Sequence, residues 1–319
     1  MRTGGGSAIE SRRLAVAGVI IAALMLCMAG VALASSWVYW GQWGSLGTAN
    51  GRFNSPIGVA VSKTGRIYVA DYFNNRIQMF APNGAYLGKW GSFGTGNGQF
   101  NGAYGIAIDK YGYVYVTDLW NSRVQKFTSG GSFVTKWGSY GTGNGKFRKP
   151  FGIAVDGYGL IYVADSLNSR VQRFTSGGAY LGKWGTPGAG NGQFAQPDGI
   201  AIDTYGFVYV ADLGHSRVQK FHTNGVFVTK WGVYGSGPGQ FMKVNGIAVN
   251  PAGHVFVCDN MQNRVQEFTA AGIYLRKYGT TGGSAGQFRW LNALAFGPDG
   301  IGYLTDASNN RMQRMKYTP

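Results

Sequence analysis

Few side chains in this sequence can carry acid–base or metal chemistry, since glutamate occurs only twice and histidine only three times. A carboxylate and an imidazole that face one cleft can hydrogen-bond a sugar or a peptide, or can exchange protons with a substrate. Asp198 and His215 are the candidates for such a pair, because Asp198 and the turn residue Asp299 alone among the aspartates fall outside a recurring position. His222 and His254 fall in other turns or strand starts, which argues against a site built from several histidines.

Most of the remaining acidic and basic side chains recur every 47 residues, in six units without insertion. A single active site needs its special residues only once, whereas a residue present in every unit is most simply part of the architecture. In each unit an aspartate is followed five residues later by an arginine, and we predict that the two form an ion pair that orders the loop between them. The six predicted structural pairs are Asp71 with Arg76, Asp118 with Arg123, Asp165 with Arg170, Asp212 with Arg217, Asp259 with Arg264, and Asp306 with Arg311.

Each unit also contains four runs that are typical of short β-strands, separated by turns rich in Gly, Asn and Ser. In the third unit these runs cover residues 152–155, 161–164, 170–174 and 179–184. Four short antiparallel strands predict one blade of a β-propeller, and six units predict six blades. The predicted fold class is therefore all-β, a six-bladed β-propeller.

The two ends of the repeat array predict how the ring is closed. The last unit ends without a fourth strand, whereas Trp43, in an additional strand-like segment, lies 47 residues before its counterpart Trp90. We predict that this N-terminal strand completes the sixth blade, which removes the open sheet edge that would otherwise remain.

The repeat resembles the NHL repeat. The unit that runs from Gly145 to Gly185 contains Pro-x-Gly-Ile-Ala-Val-Asp, then Tyr-Val-x-Asp, then Asn-x-Arg-Val-Gln-x-Phe. The resemblance implies a six-bladed propeller that most members use as a platform for a protein, a ligand or RNA, and a few, such as a peptidyl-hydroxyglycine lyase branch, use as an enzyme. The zinc site of that branch needs several histidines, which this sequence does not supply in one place.

Function should lie where the units differ, at the loops before the first strand and between the second and third strands. These loops share one face because successive strands alternate in direction. Apolar side chains occupy the divergent positions of the first three units and polar side chains those of the last three. The predicted ligand-binding residues are Tyr104, Trp120, Phe151, Asp198, His215, Asn245, Asn260 and Asn292.

Composition and charge narrow the partner classes. Glycine supplies 54 residues and aromatic residues 15% of the chain, which disfavours helix-rich folds and intrinsic disorder. The formal net charge is +16, but a lysine recurs on five of the six outermost strands, where lysine blocks pairing between sheet edges. Four further cations share one position of the third strand, so we expect the charge to be distributed around the rim of the ring: Lys126, Arg173, Lys220 and Arg314. We therefore expect the charge to serve solubility, with an anionic envelope polymer or a membrane surface as a secondary partner, and we do not expect a nucleic acid.

The N-terminal 35 residues are expected to form a separate segment. Residues 14–34 are uncharged and follow Arg2, Arg12 and Arg13, which predicts a hydrophobic export helix. A small-residue cleavage site at Ala32 to Ala34 favours a signal peptide, whereas the length of the run is sufficient for a transmembrane anchor. Both alternatives place domain 36–319, the propeller, outside the cytoplasm, either anchored or secreted.

The sequence favours a noncatalytic binding or scaffold propeller, expected to be monomeric, that takes a protein, peptide or glycan partner on the face with divergent loops. We expect no cofactor, no metal and no catalytic residue. The alternative is a lyase or hydrolase that uses Asp198 and His215, with a metal held by Asn245 and Asn292.

Overall fold

A computed structural model describes residues 36–318, and 24 of its 26 strands build six four-stranded antiparallel sheets. The sheets lie in one unit, Trp37–Lys316. Blades one to three contain β2 to β5 (Pro56–Val61, Ile67–Asp71, Arg76–Phe80, Tyr86–Trp90), β6 to β9 (Ala103–Ile108, Val114–Asp118, Arg123–Phe127, Phe133–Trp137) and β10 to β13 (Pro150–Val155, Ile161–Asp165, Arg170–Phe174, Tyr180–Trp184). Blades four and five contain β14 to β17 (Pro197–Ile202, Val208–Asp212, Arg217–Phe221, Phe227–Trp231) and β18 to β21 (Val244–Val249, Val255–Asp259, Arg264–Phe268, Tyr274–Tyr278).

The sixth sheet has the strand order β1-β26-β25-β24, so its outermost strand is the first of the described chain. These strands are Ser36–Trp43, Arg311–Thr318, Gly302–Asp306 and Leu291–Phe296. The indole Nε1 of Trp37 on β1 donates a 2.8 Å hydrogen bond to Glu267 of blade five. The only other elements of residues 36–318 are two single 3₁₀ turns, Ser166–Asn168 and Leu213–His215, and the short strand pair Thr280–Thr281 with Gln287–Phe288.

The hydrophobic core lies between adjacent blades, because each sheet is covered on both faces by its neighbours. Every residue of β11 is buried, as expected for a strand whose first four residues are apolar, whereas the outermost strand β13 alternates between half-buried and exposed positions. One cluster joins Ala154, Tyr162 and Val171 of blade three to Ile200 and Val208 of blade four. Packing of this kind holds neighbouring blades together around the ring.

The first strands of the six blades contact one another in sequence and line the central channel. Each of them has a β-bulge after its first residue, as between Pro150 and Ile153, and a bulge can re-aim a side chain. The bulged segment contains a glycine because the next blade comes very close. A Cβ atom on Gly152 would lie 2.3 Å from the backbone oxygen of Asp198, a separation that no side chain tolerates without movement of the backbone.

Each recurring Asp–Arg pair lies at the centre of a hydrogen-bond network in its blade. In the third blade, Arg170 Nε lies 2.7 Å from Asp165 Oδ2, and both side chains are almost completely buried. Asp165 Oδ1 also accepts the backbone N–H of Arg148, and Arg170 donates to the carbonyls of the glycine-rich loop before the first strand. The six Nε–Oδ2 distances range from 2.7 to 3.2 Å. The pair therefore joins the loop between the second and third strands to the glycine-rich loop before the first strand. From the sequence we expected it to order only the first of these loops.

One part of the charge interpretation needs correction. The lysines of the fourth strands are exposed, as expected for the rim of the ring. The cations of the third strands instead cross to the next blade, because their stems pack between the sheets and their heads reach backbone carbonyls at 2.9 to 3.2 Å. These four residues, which tie neighbouring blades together, are Lys126, Arg173, Lys220 and Arg314.

The expected export helix of residues 14–34 lies outside the described residues, as does the basic segment that precedes it. Across residues 36–318, no helix has the length and apolar character needed to cross a bilayer.

Candidate functional site

The six bulges place one divergent side chain per blade around the upper end of the channel, the end with the loops between the second and third strands. Strands β2, β6, β10, β14, β18 and β24 each supply the residue before the bulge glycine or its alanine counterpart. The side chains in ring order are Ile57, Tyr104, Phe151, Asp198, Asn245 and Asn292. An aromatic half therefore faces a polar half.

Asp198 is the central polar group of this ring and is only 4% exposed. Its Oδ2 accepts a 3.0 Å hydrogen bond from Asn245 Nδ2, and the Tyr104 hydroxyl approaches the same oxygen at 3.5 Å. No hydrogen bond among the described residues reaches the other carboxylate oxygen, Oδ1. Burial raises the pKa of Asp198 to about 7, against the lowering effects of the Lys243 charge and of the bonds from Tyr104 and Asn245. Asp198 can therefore exist in both protonation states near neutral pH.

The aromatic half is formed by contacts between successive blades. The rings of Tyr104 and Phe151 have centroids 4.7 Å apart, and Tyr72 meets Tyr104 edge-on at 6.2 Å. Burial, together with the charge of Asp198 and the neighbouring Tyr72, raises the pKa of Tyr104 well above its usual value. Tyr104 thus remains a neutral phenol that can donate a hydrogen bond at any physiological pH.

These side chains line a cavity of about 510 Å³ that opens on the upper face. The aromatic wall includes Tyr72, Phe73 and Phe151, and the opposite wall includes Lys243 and Asn292. A narrower space of about 80 Å³ continues down the channel between the bulge glycines. The volume of the upper cavity lies in the range that holds small ligands or a few residues of a chain.

A second observation marks the polar wall as incomplete. The side-chain oxygen of Asn245 is buried and has no hydrogen-bond partner among the described residues, and the same holds for Asn260. Buried polar atoms of folded proteins are nearly always hydrogen-bonded, and exceptions concentrate at sites that bind a water or a ligand. Both asparagines lie in the polar half of the ring, in blade five.

The predicted site residues fall into two groups. Five of them line the upper cavity: Tyr104, Phe151, Asp198, Asn245 and Asn292. Trp120 lies at its edge, half-exposed, where its Nε1 donates a 2.8 Å hydrogen bond to the Tyr72 hydroxyl and Lys149 lies over its ring. Asn260 is buried, does not line the cavity, and donates to the backbone oxygen of Leu291. The ligand-binding role of these residues remains a prediction.

His215 belongs to a different part of the blade. Its Nδ1 lies 3.0 Å from Oδ2 of Asp212, the aspartate of a recurring Asp–Arg pair, and it does not line the cavity around Asp198. Asn168 occupies the equivalent position in blade three and donates to Asp165 there. The sequence interpretation treated His215 as a residue outside the recurring network, whereas the imidazole in fact takes over the asparagine's place in it. The structure therefore does not bring together the proposed acid–base pair.

Sequence reasoning missed Lys243 and Trp290, which also line the cavity. The Lys243 ammonium lies 4.9 Å from the centre of the Trp290 ring. Both occupy one position of the repeat, two residues before the ring position, where Lys149 and Gln196 stand in other units. The sequence signal that could have identified them is that the residue type at this position varies between units.

Carboxylates, imidazoles and thiols do not gather around the cavity. Within residues 36–318 no group of three or more His, Cys, Asp or Glu side chains is arranged to hold a metal ion. Asp198 and the amides of Asn245 and Asn292 are the oxygen donors nearest to such an arrangement, but Asn245 turns its nitrogen toward the carboxylate and the charge of Lys243 also acts there.

Comparisons with known proteins agree with the repeat and with the architecture. The NHL repeat model matches residues 53–80 and 147–174, and a model described as a 6-bladed beta-propeller matches residues 204–280. A search of curated proteins found no match.

Several solved structures share the fold. A streptogramin B lyase is 14% identical, with a TM-score of 0.62 over 89% of this chain and 98% of that chain. A catalytically inactive virginiamycin B lyase from Staphylococcus aureus is 15% identical, with a TM-score of 0.60 over 89% of this chain and 88% of that chain. A gluconolactonase from Xanthomonas campestris is 11% identical, with a TM-score of 0.62 over 89% of this chain and 97% of that chain. At these identities the similarity extends to the fold alone. The chain therefore contains NHL repeats, at the matched residues, and folds as a six-bladed β-propeller.

Proposed function

We propose that this propeller is a noncatalytic binding module that holds a segment of a protein, peptide or glycan partner in the upper cavity. The observation that carries the proposal is the pairing of an aromatic wall with a buried carboxylate, Asp198, one of whose oxygens is not engaged by the described residues. Ligand sites commonly combine an apolar surface with a few polar groups that fix the orientation of the ligand.

The cavity favours a partner that carries hydrogen-bond donors on a flat apolar frame. Hydroxyls of a sugar, or the amine or amides of a peptide, could donate to Asp198 Oδ1 and could also satisfy the buried oxygen of Asn245. Tyr104 and Phe151 supply a wall on which a sugar ring or an apolar side chain could lie. Lys243 on the opposite side would donate to a carboxylate or to another hydrogen-bond acceptor of the same ligand.

Catalysis is the second candidate, and one observation favours it. A carboxyl group whose pKa is about 7 can act as a general acid or base at neutral pH. Two of the structures with this fold are named as lyases and one as a gluconolactonase. In this chain, however, His215 is bound to Asp212, so an enzyme would have to work with Asp198 and the Lys243 or Tyr104 side chains.

The test begins with peptide and glycan arrays probed with purified protein of residues 36–319. Any ligand found is titrated by calorimetry into the wild type, Asp198→Asn and Phe151→Ala. Binding that weakens in both variants without chemical change of the ligand supports a binding module, whereas turnover that is lost in Asp198→Asn but retained in Phe151→Ala supports an enzyme. Metal analysis of the same preparation further distinguishes the binding module from the enzyme, because stoichiometric calcium or zinc would favour the enzyme.

We further propose that the propeller acts outside the cytoplasm. The support is the sequence of residues 14–34, which favours export with either cleavage or retention of the segment. Fractionation of cells that express the full chain, followed by N-terminal sequencing of the mature protein, distinguishes a secreted from an anchored form. Recovery of the protein with an intact N-terminus in the cytoplasm would contradict export.

A further inference from the structure

The face opposite the candidate site presents three tyrosines at one position of the repeat. Tyr111, Tyr158 and Tyr205 stand in the turns between the first and second strands of blades two, three and four, and they are 74%, 91% and 84% exposed. We propose that they form part of a second binding site, on this lower face, for an acidic oligosaccharide. The inference is independent of the function proposed for the upper cavity.

The fold itself does not require these rings. In each of the three turns an aspartate closes the backbone, as Asp156 does by accepting the N–H groups of Tyr158 and Leu160 at 2.9 Å. The equivalent positions of the other three units are Thr64, Ala252 and Asp299. Since the same turn forms with a small or polar residue at this position, the tyrosine rings add exposed aromatic area without adding to the packing.

Two of the tyrosines line a bowl around the lower mouth of the channel, and the third, Tyr111, lies beside the lining residue Lys110. Tyr158, Tyr205, Lys63 and Lys110 line a cavity of about 550 Å³. A neighbouring cavity of about 290 Å³ shares Lys63 and Asp203 with it and extends toward the prolines of blades five and six. This space is concave and large enough for several sugar units, whereas a planar bilayer surface would not fill it.

The charge of the bowl favours an acidic occupant. Three aspartates of the turns are buried and each accepts a hydrogen bond from a tyrosine hydroxyl at 2.8 or 2.9 Å. The charges of Asp109 and Asp203 act on the nearby Lys126 and Lys220, and the charges of Asp156 and Arg173 act in opposite directions on Tyr162, so each of the three aspartates has a cation that offsets it. Lys63 and Lys110 are then the excess cations of the bowl, and Lys110 also lies 5.2 Å from the centre of the Tyr111 ring.

Together these features fit a chain of sugar rings that bear carboxylates or sulfates. The C–H face of a pyranose stacks on an aromatic ring, and tyrosine provides such a surface at low cost in side-chain entropy. The Tyr158 and Tyr205 rings in the bowl would each contact a sugar unit, while Lys63 and Lys110 would pair with the anionic groups.

The test uses tetragalacturonate and a heparin tetrasaccharide as acidic probes, with cellotetraose as the neutral probe. Calorimetry at low salt should give measurable affinity for at least one acidic probe, and the double variant Tyr158→Ala/Tyr205→Ala should weaken it at least tenfold. The matched control is Tyr140→Ala/Tyr234→Ala, which removes two similarly exposed tyrosines from the upper face. Lys63→Gln/Lys110→Gln should weaken the binding and flatten its salt dependence.

Asp198→Asn should leave this affinity unchanged, so failure of the upper site and failure of the lower site can be told apart. Circular dichroism of each variant checks that it is folded. The proposal is overturned if neither acidic probe binds, if both tyrosine double variants bind as the wild type does, or if cellotetraose binds equally well. Tyrosine-dependent binding to phosphatidylglycerol vesicles without binding to either acidic probe would also overturn it and would assign the face to a membrane.

Discussion

Asn245 donates a 3.0 Å hydrogen bond from Nδ2 to Oδ2 of Asp198, although one whole repeat separates the two residues. They occupy the same position of two adjacent units, so the bond crosses from blade four to blade five. Each unit supplies one side chain to the channel mouth, and substitution at a single repeat position therefore creates a composite site without any change in the fold. The polar half of the upper cavity arises in this way.

Burial of Asp198 predicts an unusual dependence of stability on pH. Because its pKa is about 7 in the folded chain and near 3.8 when exposed, the folded state retains a proton that the unfolded state has lost. Raising the pH from about 4 to about 7 should therefore remove stability. Asp198→Asn should be more stable than the wild type at about pH 8, by on the order of 1–4 kcal/mol, with the difference disappearing below about pH 4.

Urea unfolding of both proteins across this pH range measures the effect. Asp299→Asn is the control, because Asp299 lies in an exposed turn. If the free energies of unfolding of the wild type and Asp198→Asn change in parallel with pH, burial does not raise the pKa of the Asp198 carboxyl group.

The Asp165–Arg170 pair should behave as one energetic unit. Removing either side chain leaves a buried partner without its ion pair, and we expect Asp165→Ala and Arg170→Ala each to cost roughly 3–5 kcal/mol. The double variant should lose clearly less than the sum, because the second substitution removes the group that the first left unpaired. Denaturant unfolding of the four proteins measures the coupling, and strict additivity would refute it.

Close approach between blades should make the bulge glycine of blade three costly to replace. Gly152→Ala should lower the free energy of unfolding by about 1–3 kcal/mol, because its Cβ would meet a backbone oxygen. Gly157→Ala, five residues later in the same blade, is the matched control, since a Cβ there meets nothing within 4 Å. Equal thermal unfolding of the two variants would contradict the close approach. The sixth blade carries Ala293 at the equivalent position, beside which β24 packs against β2.

The first strand should hold the ring closed. Deletion of residues 36–44 removes the outermost strand of blade six and the contact of Trp37 with Glu267. We expect a cooperative loss of stability of the whole propeller, because blade six would expose an unpaired strand edge. Calorimetric melting measures this loss, and a truncated protein that melts with the wild type would contradict the role of the strand.

A structural feature could be predicted from this sequence when the residues that form it recur in every unit. The interval of 47 residues predicted the strands, the six blades and the Asp–Arg pairs, because a residue repeated in every unit has one geometric role. It also predicted that Tyr104, Phe151 and Asp198 share the channel mouth. It could not predict that His215 bonds Asp212, because an imidazole that replaces an asparagine in a network looks in sequence like a residue outside it.

The third-strand cations show a related limit. Lys126 and Lys220 lie on the third strands of their blades, between the two neighbouring blades. Only the packing of the blades shows that their side chains reach the next sheet. Lys243 was missed because its position varies without a pattern of chemical type. A sequence repeat thus predicts what each blade shares, whereas contacts between blades depend on the twist and spacing of the ring.

His215 provides a test of the acid–base pair with Asp198 that the sequence suggested for an enzyme. His215→Asn restores the residue found in the equivalent loop of blade three, so it should preserve the bond to Asp212, the melting temperature and the ligand affinity. An acid–base mechanism that uses the imidazole requires instead a loss of turnover in this variant, with stability unchanged. The activities of His215→Asn and the wild type, measured on any substrate found, would decide whether the imidazole takes part in turnover.

The most direct measurement for the central claim is the affinity of the array-selected ligand for the wild type, Asp198→Asn and a rim variant, Lys136→Gln/Lys183→Gln. If the upper cavity is the binding site, Asp198→Asn should weaken binding by roughly 1–3 kcal/mol, as for other buried polar anchors, while the rim variant binds as the wild type does. Affinity that falls in the rim variant and is unaffected by Asp198→Asn would contradict the account and would move the site to the outer edge of the ring.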